Sequence, residues 1–323
     1  MAQRVSKWVV QSPREWVNSP TFNNTMQKWT SSTKNFVMGI AMAIIVVGVC
    51  YIILAPVIGI ISRAFMSPED VTNPLVFLVP LAPTLYNVVT AFDFMDYVST
   101  LISTLTFSVG LAMLHVVVCS LVGYGFARFS FPGNNLLFGL VIVSIVIPAQ
   151  AYMIPMFLNF RFFLGMPNAN LVGTPWPIIL LTLTGVGIRS GLYIYIIRQF
   201  FRGIPKEIEE AAFIDGAGPM RTYLRIMLPN AVPALVTVFL FALVWHYNDT
   251  YYTGMLMTGH RMMSTMLGSL GFAYASALDQ RNPVFTQMVV FGGVLLAIAP
   301  VVTIYLFLQR FFVEGLERSG IVG

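Results

Sequence analysis

Residues 203–229, GIPKEIEEAAFIDGAGPMRTYLRIMLP, form a polar link between two long apolar stretches of the chain. Pro205 suits the first turn of a helix, because that position has no helical partner for a backbone N–H. Glu207, Glu209 and Glu210 then lie near the positive end of the helix dipole, where acidic side chains are favoured. The sequence therefore predicts a short helix that begins at about residue 205.

A glycine corner is predicted to follow this helix. Gly216 is placed to end it in a left-handed conformation. A second short helix is predicted from Pro219 to about Met227, with Pro229 ending it before the next apolar stretch. Residues 205–229, called the elbow below, therefore protrude, either as a docking surface for a partner or merely as a capped loop.

The composition places the elbow in a membrane protein. Hydrophobic residues make up 57% of the 323 residues and charged residues 10%, against about 45–50% and about 25% in soluble domains. The mean hydropathy of +0.78 extends over a chain too long for one buried core. These values exclude a cytosolic enzyme, a disordered tail and a DNA-binding module. Cys50 and Cys119 lie in apolar runs and predict no disulfide framework.

Six segments are long and apolar enough to cross about 30 Å of hydrocarbon as helices. They are residues 36–61, 101–126, 136–158, 178–201, 230–252 and 287–311. An all-α fold is expected, with a cytoplasmic N-terminal segment over 1–35 and a six-span domain over 36–323. Most Lys and Arg residues lie before the first span, in the elbow region and in the tail. The excess of basic residues on the cytoplasmic side of membrane proteins therefore predicts that both termini are cytoplasmic.

Several polar or aromatic residues inside the predicted spans are candidates for a substrate pathway. Arg189 lies nine residues before Arg198, about 13 Å deeper along a helix. It either faces the pathway or is a structural Arg at the external end of a broken fourth span. Trp245, Asn248 and Tyr252 have the spacing of one helical face and suit stacking and hydrogen bonding to a sugar, although interfacial aromatic residues are also common. Gln150, after the kink site at Pro148, is a weaker candidate.

No motif for chemistry within the chain is evident. None of its four lysines follows a glycine, so the phosphate-binding loop G-x-x-x-x-G-K-[ST] does not occur. His115, His246 and His260 are too far apart in sequence to form a recognisable metal-ligand motif. The expectation is a non-enzymatic chain with no metal or cofactor of its own.

The elbow resembles the EAA signature of ABC importer permeases. The matching residues are Glu210, Ala211, Ala212, Gly216, Ile226, Leu228 and Pro229. Further stretches resemble the MalG-like branch of the maltose-type carbohydrate permeases over about residues 75–323. They are YGFARFSFPG (124–133), IPAQAYMIPMF (147–157), RQFFRGIPKEIEEAAFIDGAG (198–218) and LQRFFVEGLERSGIVG (308–323).

This resemblance implies that the elbow carries a coupling helix, about residues 205–227, seated in a cytoplasmic ATPase subunit. Glu210 would make the contact, Gly216 would form the corner, and Ala211 and Ala212 would permit close packing. The implied partners are a second, MalF-like permease, two ATPase subunits that use ATP and Mg, and an extracytoplasmic substrate-binding protein. The implied location is the cytoplasmic membrane of a prokaryote. Two alternatives stay open: an ABC permease for a non-carbohydrate solute, and an ion-coupled secondary transporter.

Overall fold

A computed structural model of the chain describes residues 20–166, 168–279 and 282–320, with side chains described over 35–166, 168–279 and 282–309. Every regular element in these ranges is helical. The chain divides into two compact units, Met1–Gly59 and Ile60–Gly323. Residues 1–19 of the predicted N-terminal segment lie outside the described residues.

The α-helices are numbered in chain order. They are α1 (Pro20–Ala64), α2 (Pro68–Thr72), α3 (Tyr86–Phe94), α4 (Tyr97–Arg128), α5 (Asn134–Val146), α6 (Met153–Arg161), α7 (Trp176–Leu183), α8 (Ser190–Gly203), α9 (Lys206–Ile214), α10 (Pro219–Thr222), α11 (Leu228–Asn230), α12 (Val232–Tyr247), α13 (Tyr251–Leu256), α14 (Met263–Ala277) and α15 (Pro283–Gly320). Single 3-10 turns occupy Ala149–Ala151 and Phe163–Gly165, and a π-helix occupies Tyr223–Met227.

Three of the described helices are long and apolar enough to cross a membrane: Asn35–Ala64 of α1, all of α4, and Pro283–Gln309 of α15. They cover the first and second predicted spans and residues 287–309 of the sixth. A fourth qualifies if Pro219–Asn230 and Val232–Tyr247, which meet at an angle of 78°, are counted together. The remaining predicted spans are built from shorter helices.

The third predicted span, 136–158, is interrupted at a proline. Ile147 leaves α5 with an extended backbone (φ −68°, ψ 119°), as expected for a residue that precedes a proline. The chain then makes a 3-10 turn and resumes as α6. The fourth predicted span is interrupted between α7 and α8, where Gly185 and Arg189 have φ of 74° and 60°. Left-handed residues cannot continue a right-handed helix, so this span consists of two separate helices.

Helix α4 is the centre of the packing within Ile60–Gly323. It lies against α8 and α12, while α15 packs on α3, α12 and α14. Gly123 brings α4 close to α8, because a Cβ atom there would lie 2.9 Å from Ile197 Cγ2 and 3.2 Å from the backbone nitrogen of Arg198. The residues around this contact, including Cys119, Tyr193 and Val238, are fully buried.

This close approach predicts that Gly123→Ala destabilises the protein. The added methyl group overpacks the interface between α4 and α8, at a cost of about 1–3 kcal/mol. Gly125→Ala in the same helix is the matched control, since nothing lies within 4 Å of its Cβ position. Thermal unfolding of the purified variants in lipid nanodiscs should show a lower midpoint for Gly123→Ala alone. Equal midpoints for both variants would contradict the packing argument.

Candidate functional site

The elbow contains the two helical parts and the glycine corner that were predicted for it. Helix α9 ends at Ile214, and Gly216 follows it with φ 81°. The N–H of Ala217 donates to the carbonyl of Ala212 at 2.9 Å, and the N–H of Gly216 donates to that of Phe213 at 3.0 Å. The bond back over five residues satisfies a carbonyl that the helix end would otherwise leave unpaired. The corner therefore depends on a left-handed residue at 216.

The end of the second helical part differs from the prediction. Pro229 does not end it: the helical backbone continues through Pro229 in α11 to Asn230, and the bend follows at Ala231 (φ −91°, ψ 4°). A proline inside a helix removes one N–H and crowds the carbonyl four residues earlier. Here the preceding residues Tyr223–Met227 form a π-helix, whose wider turn already departs from that hydrogen-bond pattern.

The outer side of the elbow combines charged and apolar side chains. Glu210 and Ala211 are exposed, whereas Ala212 is buried. Several large apolar side chains around them are also exposed: Ile208, Phe213, Ile214, Met220 and Leu224. Ile214, the extreme case, is 86% exposed. Contiguous exposed apolar side chains rimmed by charges are typical of protein interaction sites.

Glu209 points the opposite way from its neighbour Glu210. Its Oε2 lies 2.6 Å from Nε of Arg128, and the two side chains are only 7% and 6% exposed. The hydroxyl of Tyr124 donates to Oε1 of Glu209 at 2.8 Å, and Nη2 of Arg128 donates to the carbonyl of Ile204 at 2.7 Å. A buried ion pair, with hydrogen bonds to both partners, therefore fixes α9 to the C-terminal end of α4.

In the sequence, Glu209 stands out only as one of three acidic residues at a helix start. The signal that distinguishes it is its spacing of three residues from Ala212, which places both on the buried face of α9. Its partner Arg128 lies in the YGFARFSFPG stretch about 80 residues earlier, and sequence spacing does not predict a contact between the two.

A cavity of about 610 Å³ lies between α5, α6, α8, α12 and α13, with the breaks between them forming part of its wall. Four of the five predicted pathway residues line it: Gln150, Arg189, Trp245 and Tyr252. Arg189 occupies the break before α8, and its guanidinium carbon lies 4.4 Å from the ring centroid of Trp245. The hydroxyls of Tyr152 and Tyr252 are 2.9 Å apart at the same cavity.

Asn248 is not among the residues that line this cavity. Its side-chain amide donates to the carbonyl of Val244 at 2.9 Å. The predicted single face through Trp245, Asn248 and Tyr252 is wrong, because α12 ends at Tyr247 and a new helix begins at Tyr251. Asp249 holds this break, since its carboxylate accepts bonds from the backbone N–H groups of Tyr252 and Thr253, as in a helix cap.

Two of the histidines that are distant in sequence meet in the structure. Nε2 of His246 lies 3.3 Å from Nδ1 of His115, and Nε2 of His115 lies 3.1 Å from Oγ of Ser190. Both rings are buried. Over the described ranges, no group of three or more His, Cys, Asp or Glu side chains is arranged to hold a metal ion.

The chain is similar to several known membrane transport proteins. The chain is 25% identical over 303 residues to the arabinooligosaccharide transport system permease protein AraQ of Halalkalibacterium halodurans, covering 92% of this chain and 100% of the relative. It is 28% identical over 235 residues to the maltodextrin transport system permease protein MdxG of Bacillus subtilis, covering 72% and 78%.

The fold is shared with one chain of a bacterial ABC transporter involved in the import of the acidic polysaccharide alginate. That match has a TM-score of 0.68 and 23% identity, and it covers 86% of this chain and 98% of the other. Residues 116–318, which include the elbow and the cavity, match the family described as the inner membrane component of binding-protein-dependent transport systems. The chain therefore belongs to this family of integral membrane transport components.

Proposed function

We propose that this chain is a permease subunit of an ATP-driven importer for a sugar or oligosaccharide, and that it forms half of the translocation pathway. Family membership and the oligosaccharide systems named for its relatives support this proposal. The cavity adds support of a different kind. A flat indole ring, an arginine and paired tyrosine hydroxyls match the apolar faces and hydroxyl groups of a sugar.

The elbow is proposed to be the coupling element that an ATPase subunit grips. The observation that carries this proposal is the opposite orientation of two adjacent carboxylates. Glu209 is held inside the chain by Arg128, which leaves Glu210 exposed beside apolar side chains. The elbow is fixed to the rest of the chain on its inner side and exposes charged and apolar side chains to a partner on its outer side. Such an element can transmit a movement of the partner to the membrane-spanning helices.

The proposed assembly contains this chain, a MalF-like second permease, two ATPase subunits and an extracytoplasmic binding protein. In this assembly ATP and Mg bind to the ATPase subunits, and this chain catalyses no reaction. The proposed topology has six crossings with both termini in the cytoplasm, where the broken third and fourth spans each count as one crossing. Cysteine accessibility at residues 1–35 and in the elbow, from each side of the membrane, tests this orientation.

Reconstituted uptake is the direct test of the proposed function. The full chain, co-purified with its partner subunits in proteoliposomes, should import labelled oligosaccharides only when ATP is present on the ATPase side. Uptake driven by an ion gradient without an ATPase, or ATP-driven import of non-carbohydrate solutes alone, would contradict it. In the same assay Glu210→Lys should lower uptake at least tenfold, equivalent to about 1.4 kcal/mol, because the exposed contact reverses its charge.

Glu207→Lys is the matched control for Glu210→Lys. Both side chains are exposed on α9, but Glu207 lies outside the EAA signature. The control should keep its ATPase subunits and most of its uptake. Equal losses in the two variants would indicate a general effect of charge on the elbow instead of a specific contact.

Gly216→Pro should abolish uptake while leaving the protein in the membrane. Proline fixes φ near −65°, whereas Gly216 has φ 81°, so the corner cannot form. Gly216→Ala is the graded comparison: nothing lies within 4 Å of its Cβ position, and only the left-handed backbone costs about 1–2 kcal/mol. Uptake should therefore fall in the order wild type, Ala, Pro. Full uptake by the proline variant would remove the case for the corner.

Glu209→Gln should loosen α9 from α4, because it leaves the Arg128 charge buried and unpaired. Removing one partner of such a pair costs about 3–5 kcal/mol. Hydrogen exchange over residues 205–217 should accelerate, and ATP hydrolysis should become uncoupled from uptake. The double variant Arg128→Met/Glu209→Leu replaces the pair by apolar side chains and should restore protection. Unchanged exchange in Glu209→Gln would show that the pair does not hold the elbow.

A further inference from the structure

The cavity contains a cation with no anionic partner in the described parts of the chain. Arg189 is exposed to the cavity, and its recorded side-chain contact is the ring of Trp245. The described ion pairs are Arg128 with Glu209 and Arg261 with Asp96, and neither involves Arg189. A stacked indole ring attracts a guanidinium group but leaves its N–H donors available for an anion.

The depth of Arg189 in the membrane indicates a function for its unpaired charge. It directly precedes the 14-residue helix α8, which extends to Gly203 beside the elbow. At 1.5 Å per residue, Arg189 lies up to about 21 Å from that end of the helix. In the topology proposed above, this position is inside the roughly 30 Å hydrocarbon layer. Charged side chains at such depth face a water-filled path or a partner charge, and they mark substrate sites.

The backbone around Arg189 is held in place. Arg189 has a left-handed conformation (φ 60°, ψ 14°), which is unusual for a residue other than glycine. A Cβ atom at Gly187 would lie 2.9 Å from Thr182 Oγ1, and one at Gly191 would lie 2.5 Å from Ser144 Oγ. The close packing on both sides fixes the position from which the guanidinium group reaches the cavity.

The cavity is also lined by an acidic side chain, that of Asp249. Its carboxylate already accepts hydrogen bonds from the protein. Its Oδ1 accepts a bond from the N–H of Tyr252 at 3.2 Å. Its Oδ2 accepts bonds from the N–H and Oγ1 of Thr253 at 2.7 and 2.6 Å. These three bonds stabilise the carboxylate where it caps α13, and no ion pair joins it to Arg189 in the described residues. Arg189 is therefore the charged hydrogen-bond donor that lines the cavity.

We propose that the cavity binds carbohydrates that carry a carboxylate, and that Arg189 binds this carboxylate. This proposal rests on the proposed function. A guanidinium group presents two parallel N–H donors that match the two oxygens of a carboxylate. Trp245 can stack on the sugar ring beside it, and the tyrosine hydroxyls can bind its hydroxyl groups. The favoured substrate class is thus uronic-acid saccharides over neutral ones.

Paired sugars of equal ring size test this proposal. The assembled transporter, containing the full chain and its partner subunits in nanodiscs, is titrated by calorimetry with sodium D-glucuronate and with D-glucose. Wild type should bind glucuronate at least tenfold more tightly, and added salt should reduce this preference. Arg189→Gln should lose most of this preference, because its affinity for glucuronate should fall much further than its affinity for glucose. Arg189→Lys should keep part of the preference, because a lysine keeps the charge but not the paired donors.

Three outcomes would overturn the proposal that Arg189 binds the carboxylate. They are equal affinities of the wild type for the two sugars, a preference for glucuronate that survives Arg189→Gln, and an equal loss of affinity for both sugars in that variant. The last result would indicate that Arg189 pairs with a group of the neighbouring permease. Co-purification of the ATPase subunits with Arg189→Gln checks that the variant folds. If glucose and glucuronate bind equally, the proposed carbohydrate function stands, but the proposal that Arg189 binds a carboxylate does not. If neither binds and only another solute is imported, both proposals fall.

Discussion

The buried ion pair between Arg128 and Glu209 is the constraint on which the elbow depends. Two opposite charges removed from water are stable only when both are paired and hydrogen-bonded, and here Tyr124 and the Ile204 carbonyl supply the additional bonds. The pair makes the orientation of α9 a property of the fold. It also determines which of two neighbouring carboxylates is left for a partner.

Packing connects this pair to the cavity. Arg128 ends α4, the helix that lies against α8 and α12. Helix α8 begins directly after Arg189, and α12 carries Trp245. A displacement of the elbow that moves the end of α4 therefore acts on the two helices that position the cation and the indole ring. Tightly packed helices transmit such movements as shifts of whole elements, because their interiors compress little.

Hydropathy predicted the long helices well, because α1, α4 and α15 remain helical over most or all of the apolar segments assigned to the first, second and sixth spans. Hydropathy alone did not locate the breaks in the third and fourth spans, although Pro148 was recognised as a kink site and a broken fourth span was one of two interpretations of Arg189. A window average is insensitive to one residue before Pro148, or to a left-handed Arg189, although either ends a helix. The glycine corner was predictable because left-handed helix ends strongly favour glycine.

Four residues that line the cavity could be selected from the sequence because of their local surroundings. Gln150, Arg189, Trp245 and Tyr252 were selected as polar or aromatic residues in apolar surroundings, a local property that the sequence displays. Asn248 was grouped with them by assuming a helix that in fact ends at Tyr247. Tertiary pairings had no comparable signal: Arg128 with Glu209 and His115 with His246 join residues from separate helices, and spacing along one chain does not encode such contacts.

The close contact between α4 and α8 has a practical consequence, because a thiol lies within it. Cys119 is fully buried, with its sulfur 3.9 Å from the carbonyl oxygen of Ser190, whereas Cys50 is exposed. An alkylating reagent can reach Cys119 only when the packing around this part of α4 opens. After Cys50 is replaced by serine, the rate of maleimide labelling measures how often the packing around Cys119 opens. No additional cysteine has to be introduced into the protein.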